Sequence, residues 1–364
     1  MNRIKLRSVA PIAAAVTLGL GLAACGAGNE DGSDSSGGDS VSGTLNGAGA
    51  SSQESAVQAW RSGFQEANPD ATVNYDPVGS GGGREQFLAG GVAFAGSDAF
   101  LSEDELTEAQ ERCGGDIVEV PVYVSPIAVI YNLPGLEQLN LTPETLGGIF
   151  AGEITEWDDP AIAESNPDAD LPSSTITPVH RSDASGTTEN FTDYLDATSG
   201  GTWDEGVVEE WPIDGGEAAE QTSGVVSAVT NGEGTIGYAD ASQAGDLGTA
   251  AVQVGDEFVE YSPEAAAAVL DASDAAEGRA ETDIAIEVDR AIDTEGVYPI
   301  VLASYMMACQ TYDDAEEADL VKAFLSYVVS EDGQKTAADN AGSAPLSSEF
   351  SDQATTAIET ISGS

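Results

Sequence analysis

The chain has 364 residues, of which 64 are Asp or Glu and only 11 are Lys or Arg, so its formal net charge is −53. This charge excludes general nucleic-acid binding and argues against adhesion to anionic lipid headgroups, because like charges repel. The acidic residues are mixed with Ala, Gly and Val in segments with clear apolar positions, which indicates a folded protein with a solvated acidic surface. The length exceeds that of a usual single core, so two lobes are expected.

The N-terminus has the order of an export signal followed by a lipid attachment site. Three basic residues among the first seven precede an apolar run at residues 9–24, which is short for a membrane span and is interrupted by Pro and Gly. The run ends in Leu-Ala-Ala-Cys, typical of a bacterial lipobox, with Cys25 as the lipidated residue. We therefore predict a signal peptide with a lipobox at residues 1–25. The alternative is an ordinary cleaved signal that contains a Cys.

A Gly-, Ser- and Asp-rich segment without apolar periodicity follows at residues 26–43. This composition predicts a flexible linker, which would reach about 60 Å when fully extended. The sequence thus predicts a folded domain that a lipid anchor holds on the extracytoplasmic face of the cell membrane.

Three short Gly/Ser-rich corners in the first part of the chain each join a strand-like segment to a helical pattern. They are residues 47–52 with Ser51 and Ser52, residues 78–83 with Ser80, and residues 94–98, which end in Asp98. Corners of this kind expose backbone N–H groups and place hydroxyls beside them. None of them matches a nucleotide-binding motif.

Cys113 and Cys309 are the cysteines that remain after Cys25. In an exported protein two cysteines predict one disulfide, and two separate buried thiols are the alternative. Neither cysteine has the companions of a zinc site, and the single histidine is His180. Neither a metal nor a cofactor is therefore expected.

Two apolar runs, residues 117–133 and 297–308, are the longest beyond the signal and predict buried strands. Shorter strand-like segments alternate with helical patterns around them, which indicates α/β lobes with mainly parallel sheets. The predicted helices are residues 51–66, 188–196, 217–230 and 315–330.

Residues 178–191 form the most informative segment of the sequence. An apolar, β-prone approach leads into Arg181 and Asp183, and Ser-Gly-Thr at residues 185–187 then opens a helical pattern. A helix start offers unpaired N–H groups and the positive end of the helix dipole, and the upstream Arg adds a full charge. This combination favours binding of a small oxyanion. An ordinary N-cap beside a surface ion pair is the alternative.

These four segments together resemble the phosphate-binding component of the high-affinity phosphate ABC importer. The matching residues are 47–51, 79–83, 96–98 and 181–187. Further support comes from residues 121–134, 149–157 and 234–238. The resemblance extends from about Gly47 to about Pro345, which is nearly the whole chain beyond the signal and linker.

The resemblance implies an α/β fold with two lobes, the type II periplasmic-binding-protein fold, in which the two apolar runs are the crossover strands of a hinge. Lobe one would comprise residues 44–120 and 300–364, and lobe two residues 121–299. Phosphate would bind in the cleft between the lobes, and closure around it would give a shape that a membrane ABC permease recognises. A monomer is expected.

The resemblance also implies which residues bind phosphate. They are Ser51, Ser52, Ser80, Asp98, Arg181, Ser185, Gly186 and Thr187, with Asp183 in support of Arg181. Asp98 would accept the proton of hydrogen phosphate. Ser52 stands where the family often has an aromatic residue, so its backbone N–H remains as the contact and any apolar wall must come from elsewhere.

Three other functions compete with phosphate binding, and one of them, a surface sensor or adhesion protein built on the same fold, is left open by the sequence. His180, Asp183 and Ser185 have the residue types of a hydrolase triad, but they lie within six residues on one turn and lack a nucleophile elbow. An enzyme such as a phosphate-ester hydrolase is therefore not expected. A binder of another oxyanion, sulfate or molybdate, is the second alternative, and Asp98 is the residue that distinguishes it from a phosphate binder.

Overall fold

The computed structural model describes residues 40–364. The predicted signal peptide, its Cys25 and all but the end of the predicted linker lie outside the described residues. The first strand begins at Gly43, so the last residue of the predicted linker belongs to the folded unit. None of the helices in the described part of the chain is long and apolar enough to cross a membrane.

Strands and helices alternate along most of the described chain. The strands are β1 (Gly43–Gly49), β2 (Ala71–Asp76), β3 (Phe94–Ser97), β4 (Ile117–Tyr131), β5 (Leu139–Leu141), β6 (Thr177–Arg181), β7 (Glu217–Ala219), β8 (Thr235–Asp240), β9 (Gly248–Val254), β10 (Glu257–Val259), β11 (Asp274–Ala275), β12 (Ile286–Glu287), β13 (Val301–Cys309), β14 (Thr311–Tyr312) and β15 (Ser362–Gly363). The helices are α1 (Glu54–Ala67), α2 (Ser80–Leu88), α3 (Glu103–Cys113), α4 (Pro143–Phe150), α5 (Pro160–Ser165), α6 (Gly186–Thr198), α7 (Gln221–Asn231), α8 (Pro263–Asp271), α9 (Ala315–Val329), α10 (Glu331–Ala341) and α11 (Ser348–Glu359).

The main sheet is mixed, with the strand order β2-β1-β3-β13-β4-β8-β6-β7. Strand β1 pairs in parallel with β2 and β3, and β6 pairs in parallel with β7 and β8. Strand β13 pairs antiparallel with both β3 and β4, and β4 pairs antiparallel with β8. The prediction of mainly parallel sheets is therefore right at both ends of the sheet and wrong at its centre. The reason is that the chain passes from the β1–β3 end of the sheet to the β6–β8 end through β4 and comes back through β13. The two central strands therefore run in opposite directions.

Strand β4 is buried at every residue and crosses from one part of the sheet to the other. Residues 117–126 pair with β13, whereas residues 127–131 pair with β8. Burial on both faces explains why its sequence is continuously apolar and does not alternate. The predicted strand at residues 117–133 is confirmed.

The second apolar run becomes a strand later than predicted. Strand β13 begins at Val301, because the residues before it hydrogen-bond outside a regular ladder. The Tyr298 N–H donates to the Ala265 carbonyl at 3.1 Å, and the Ile300 carbonyl accepts from the Ile127 N–H at 2.8 Å. The run is nevertheless buried as expected.

Two large hydrophobic cores pack against the sheet, one near each end. In the first, Phe64 of α1 meets Phe324 of α9 with ring centroids 5.4 Å apart. In the second, Phe191 of α6 stacks on Tyr238 of β8 at 4.4 Å. The parts around these cores are called the first and second lobes below, and they form the predicted two-lobe α/β fold. The predicted boundaries near residues 120 and 300 fall within β4 and just before β13, and they stay a prediction.

The predicted helices at residues 51–66, 188–196 and 315–330 correspond to α1, α6 and α9. The helix predicted at 217–230 begins only at Gln221, because residues 217–219 pair with β6 as the edge strand β7. The predicted disulfide is present between Cys113, at the end of α3, and Cys309, at the end of β13.

Candidate functional site

The four Gly- and Ser-rich segments meet where strands of both lobes end and helices begin. The Gly79 N–H donates to the Gly49 carbonyl at 2.9 Å, which joins the first two corners. Across the cleft the Gly81 N–H donates to the Ala184 carbonyl at 3.3 Å. The candidate site therefore lies between the lobes, where the predicted residues surround one buried carboxylate.

That carboxylate is Asp98, which is only 3% exposed. The Ser52 hydroxyl donates at 2.7 Å to its carboxylate oxygens, and the Thr187 hydroxyl donates to Oδ2 at 3.0 Å from the second lobe. The Ser304 hydroxyl donates to Oδ1 at 2.5 Å. Burial raises the pKa of Asp98, and the hydrogen bonds from Ser304, Ser52 and Thr187 oppose that rise.

Ser52 differs from its sequence-based expectation because its side chain has a partner of its own. The residue is completely buried and its hydroxyl binds the Asp98 carboxylate. The small Ser52 side chain thus contributes a hydrogen bond to the carboxylate, which the sequence did not suggest.

Arg181 ends strand β6 and is 2% exposed. Its Nε donates to Asp183 Oδ1 at 2.7 Å and its Nη2 pairs with Oδ2, as the resemblance implied. Asp183 also accepts the Gln221 N–H at 3.0 Å. This bidentate pair fixes the plane of the guanidinium and leaves the N–H groups of Nη1 for a further acceptor.

The N-terminus of α6 points its first residues into the cleft. Ser185 is the N-cap, and its Oγ accepts the Thr188 N–H at 3.2 Å. Gly186 opens the helix in close contact with the first lobe: a Cβ there would lie 2.6 Å from Ser80 Oγ and 2.7 Å from Asp98 Cβ. Only Gly fits without displacing the opposite wall. The free N–H groups of this first turn are the donors that an anion requires.

The N-terminus of α2 faces α6 from the first lobe. Gly79 precedes it with φ +90, and a Cβ there would lie 2.7 Å from Asp183 Oδ2. Ser80 is the first helical residue, and its Oγ accepts the Asp98 N–H at 3.1 Å. Two helix N-termini thus converge beside Asp98.

Ser51 lies at the edge of this group and contacts the second lobe directly. Its Oγ is 3.0 Å from Thr222 Oγ1 and accepts the Thr222 N–H at 3.1 Å. Its carbonyl accepts from Gln243 Nε2 at 2.9 Å. All eight residues predicted as ligands are therefore brought to one interlobe cleft, with Asp183 beside them.

Sequence analysis missed four polar residues that hold this cleft together. They are Arg84, Asn190, Thr222 and Ser304. Arg84 donates to Glu105 and, across the cleft, to Glu209 at 2.7 Å, and Asn190 donates to the Asp98 carbonyl at 2.7 Å. The sequence offered a signal for Ser304. A Ser inside an otherwise apolar strand is unusual enough to suggest that its hydroxyl has a buried hydrogen-bond partner.

The residues of the alternative hydrolase triad do not form a relay. The two ring nitrogens of His180 contact the carbonyls of Arg181 and Gly215, at 3.0 and 3.1 Å. Asp183 pairs with Arg181, and the Ser185 hydroxyl caps α6. Residues 40–364 also contain no cluster of three or more His, Cys, Asp or Glu arranged to hold a metal ion.

Comparison with known proteins gives a matching family model and similar proteins. Residues 34–332 match the family model described as a PBP superfamily domain. The chain is similar to phosphate-binding protein PstS 3 of Mycobacterium tuberculosis (strain ATCC 25618 / H37Rv), with 37% identity over 325 residues that span 87% of this chain and 86% of the relative. Phosphate-binding protein PstS 2 of the same strain is 33% identical and is matched over 95% of its length.

Solved structures share the fold. A high-affinity periplasmic phosphate-binding protein, PfluDING, bound with phosphate, aligns with a TM-score of 0.71 and 25% identity over 85% of this chain and 92% of that one. A phosphate-binding protein from Stenotrophomonas maltophilia aligns with a TM-score of 0.66 and 21% identity over 86% of this chain and 93% of that one. The second likeness concerns the fold alone.

Proposed function

The chain belongs to the PstS phosphate-binding proteins of the PBP superfamily, and on that premise we propose that it binds inorganic phosphate between its lobes and delivers it to a membrane ABC permease. The observation that carries this proposal is the meeting of Asp98, the Arg181 guanidinium and the N-termini of α2 and α6 in one buried cleft. Such a group can donate to several oxygens of an anion and accept its one proton.

The proposed ligands fall into donors and one acceptor. The donors are Ser51, Ser52, Ser80, Arg181, Ser185, Gly186 and Thr187, through hydroxyl, guanidinium or backbone N–H groups. The acceptor is Asp98, and Asp183 orients Arg181. Because Ser52 and Thr187 already donate to Asp98, their hydroxyls bind phosphate and carboxylate in competition, and their backbone N–H groups are free of that competition.

The protein's charge of −53 repels phosphate at long range, so binding depends on local donors. At physiological ionic strength charges are screened beyond about 8 Å. Inside the cleft, charge-assisted hydrogen bonds act at contact distance and in the absence of bulk water. We therefore expect capture to be governed by closure and not by steering.

Asp98 favours phosphate over the alternative oxyanions. Hydrogen phosphate donates its proton to the carboxylate, whereas sulfate at neutral pH has no proton and would place an oxygen against it. The engaged partners of His180, Asp183 and Ser185 oppose the hydrolase alternative. A binding protein without catalytic activity, requiring no cofactor, is the proposal.

Calorimetry with phosphate and sulfate tests this function. The wild type should bind phosphate and reject sulfate. Asp98→Asn should gain measurable sulfate binding, because an amide can turn its N–H₂ group toward either anion. Asp70→Asn, which makes the same chemical change at an exposed turn, is the matched control and should behave as wild type.

Two results would contradict the proposal. Absence of phosphate binding by folded wild type would remove phosphate as the ligand. An unchanged phosphate-to-sulfate ratio in folded Asp98→Asn would show that Asp98 is not the filter. Turnover of an aryl phosphate ester by the same sample would instead support the hydrolase alternative.

We further propose that the protein is a monomer anchored at the extracytoplasmic face of the cell membrane through a lipid on Cys25, with the predicted linker as the tether. The basis is the order of basic, apolar and lipobox residues followed by a Gly/Ser/Asp-rich segment. Cys25→Ser should release the protein from the membrane fraction or block its maturation. Normal maturation together with unchanged membrane fractionation of the mutant would overturn the anchor.

A further inference from the structure

The two crossover strands are irregular beside the candidate site. Ser304 of β13 is opposite Tyr123, but Tyr305 is opposite Pro121, so Val122 of β4 is an extra residue in the ladder. Pro121 has no N–H to donate, which favours an interruption at this point. The freed Val122 carbonyl accepts from Gln334 Nε2 at 2.9 Å. Bulges of this kind change the direction of nearby side chains and are frequent beside functional sites.

Ser304 lies at this bulge and is fully buried. A buried hydroxyl is costly unless it has a hydrogen-bond partner, and the partner here is Asp98 Oδ1 at 2.5 Å. The neighbouring Tyr305 is held as well, since its carbonyl accepts from Gln53 Nε2 and its hydroxyl accepts the Ile286 N–H. The residue that follows Ser304 is thus fixed by two hydrogen bonds.

Ser304 differs from the other two hydroxyls on Asp98 in its position. Ser52 and Thr187 line the cleft from the two lobes and are themselves proposed ligands of phosphate. Ser304 comes from the crossover strand, outside the four corner segments. Its hydroxyl therefore remains with the carboxylate when Ser52 and Thr187 turn to the anion.

The charge on Asp98 depends on these hydroxyls because no cation is paired with it. In residues 40–364 no Lys, Arg or His forms an ion pair with Asp98. The Arg181 guanidinium lowers the pKa of Asp98 less than the three hydrogen bonds do, whereas burial raises it. Removing one hydroxyl therefore favours the neutral carboxylic acid.

We propose that Ser304 is a positioning residue that keeps Asp98 ionised and oriented, and that it thereby sets the discrimination between hydrogen phosphate and sulfate. The proposal rests on the function proposed above. An ionised Asp98 accepts the phosphate O–H and repels sulfate. A protonated Asp98 has an O–H of its own, which donates to an oxygen of either anion.

The pH dependence of sulfate binding is the observable that follows. Sulfate should bind only below the pH at which Asp98 ionises in the cleft, and loss of the Ser304 hydroxyl should move that pH upward. Asp98 also lines a cavity beside the cleft. The other ionisable groups that face Asp98 or line this cavity are Arg181, Asp240, Tyr75, Glu189, Asp193, Glu287, Arg290 and Tyr305. They are the same in wild type and variant, so the difference between the two profiles reports on Ser304.

Calorimetry of phosphate and sulfate between pH 4.5 and 8.5 tests the proposal on the full folded domain. In Ser304→Ala the sulfate profile should shift upward by about 1 pH unit or more, and the phosphate-to-sulfate ratio at pH 7 should fall about tenfold. Ser304→Thr keeps a hydroxyl on the same Cβ and should restore the wild-type profile. Ser199→Ala, which removes another fully buried hydroxyl far from Asp98, is the control and should change neither.

An unchanged sulfate profile in folded Ser304→Ala would overturn the proposal and leave Ser304 as a core residue only. If Ser304→Ala does not fold, Ser304→Cys keeps the volume with a weaker donor, and a wild-type profile in that variant would overturn it equally. Failure of wild type to bind phosphate at any pH would instead overturn the proposed function, so the two failures are distinguishable.

Discussion

At the scale of single residues, the candidate site works through charges that have fixed partners. Arg181 is held by Asp183 through two hydrogen bonds, and Asp183 lies in the bend that directly follows Arg181, the last residue of β6. Asp98 is held by hydroxyls that come from three separate parts of the chain. The first arrangement fixes a donor for the anion, and the second fixes an acceptor for its proton.

Arg181 should therefore be the most costly single ligand to remove. Arg181→Ala is expected to weaken phosphate binding by about 2–4 kcal/mol, the scale of a buried charged hydrogen-bond partner. Arg181→Lys should recover only part of this loss, because an ammonium cannot reproduce the bidentate plane.

The control for both variants is Arg61→Ala, since Arg61 donates only to the Val73 carbonyl, away from the cleft. Calorimetry with phosphate measures all three. A loss below about tenfold in Arg181→Ala, which is roughly 1.4 kcal/mol, would place the site elsewhere.

At the scale of elements, the crossing of β4 and β8 contains a second buried carboxylate. Asp240 ends β8 and is completely buried, and its carboxylate accepts from the Tyr123 hydroxyl of β4 at 3.1 Å and from the Ser242 N–H at 2.9 Å. Burial, more than the nearby charge of Asp98, raises the pKa of Asp240 to about 7, against hydrogen bonds from Ser242 that lower it.

This pKa predicts how stability depends on pH. An unfolded Asp titrates near 3.8, so between about pH 4 and 7 the folded state keeps a proton that the unfolded state has lost. Unfolding then releases a proton, and the free energy of unfolding falls as the pH rises through this window and levels off above it. The contribution of Asp240 to that fall should be on the order of 2–4 kcal/mol.

Asp240→Asn should remove this contribution, because an amide does not titrate. Urea denaturation of wild type and variant at pH 5 and pH 8 measures it as the difference between the two pH-dependent changes. Asp116→Asn, which makes the same chemical change at an exposed position just before β4, serves as control. Equal pH dependence in wild type and Asp240→Asn would contradict the assignment.

At the scale of the whole molecule, the lobes are joined by side-chain contacts as well as by the crossover strands. Arg84 of α2 pairs with Glu105 of its own lobe at 2.8 Å and with Glu209 of the second lobe at 2.7 Å. Glu209 also lies beside Glu189, whose pKa is raised to about 8 by burial and by the charge of Glu209. The ion pair between Arg84 and Glu209 thus lies beside a second acidic residue, and the positive charge of Arg84 offsets the negative charge at this point of the cleft.

Breaking the contact to Glu209 should shift the domain toward more open forms. Glu209→Gln is expected to weaken phosphate binding a few-fold and to increase the radius of gyration in small-angle scattering, since a ligand held by both lobes must then supply more of the closure energy. Glu105→Gln removes an equivalent partner of Arg84 without crossing the cleft and is the matched control. Equal effects of the two variants would mean that the ion pair to Glu209 does not control closure.

The sequence by itself determined the local chemistry and the two-lobe fold class. Arg181 and Asp183 lie two residues apart, and Ser185 to Thr187 form the start of helix α6 directly after them. The positions of these residues relative to one another therefore follow from a short stretch of sequence. The continuous apolar runs predicted strands buried on both faces, because such strands have no solvent side. The two cysteines of the folded part predicted their disulfide, because cysteines of an exported protein meet an oxidising environment.

Only the tertiary structure decided which distant groups meet. Ser304 reaches Asp98 across 206 positions of sequence because β13 lies between β3 and β4, and Arg84 reaches Glu209 across 125 positions because the lobes face each other. Residues 217–219 became a strand and not a helix for the same reason, since an edge of β6 was available to pair with them. Strand order and register bring these groups together, and no local pattern in the sequence encodes either one.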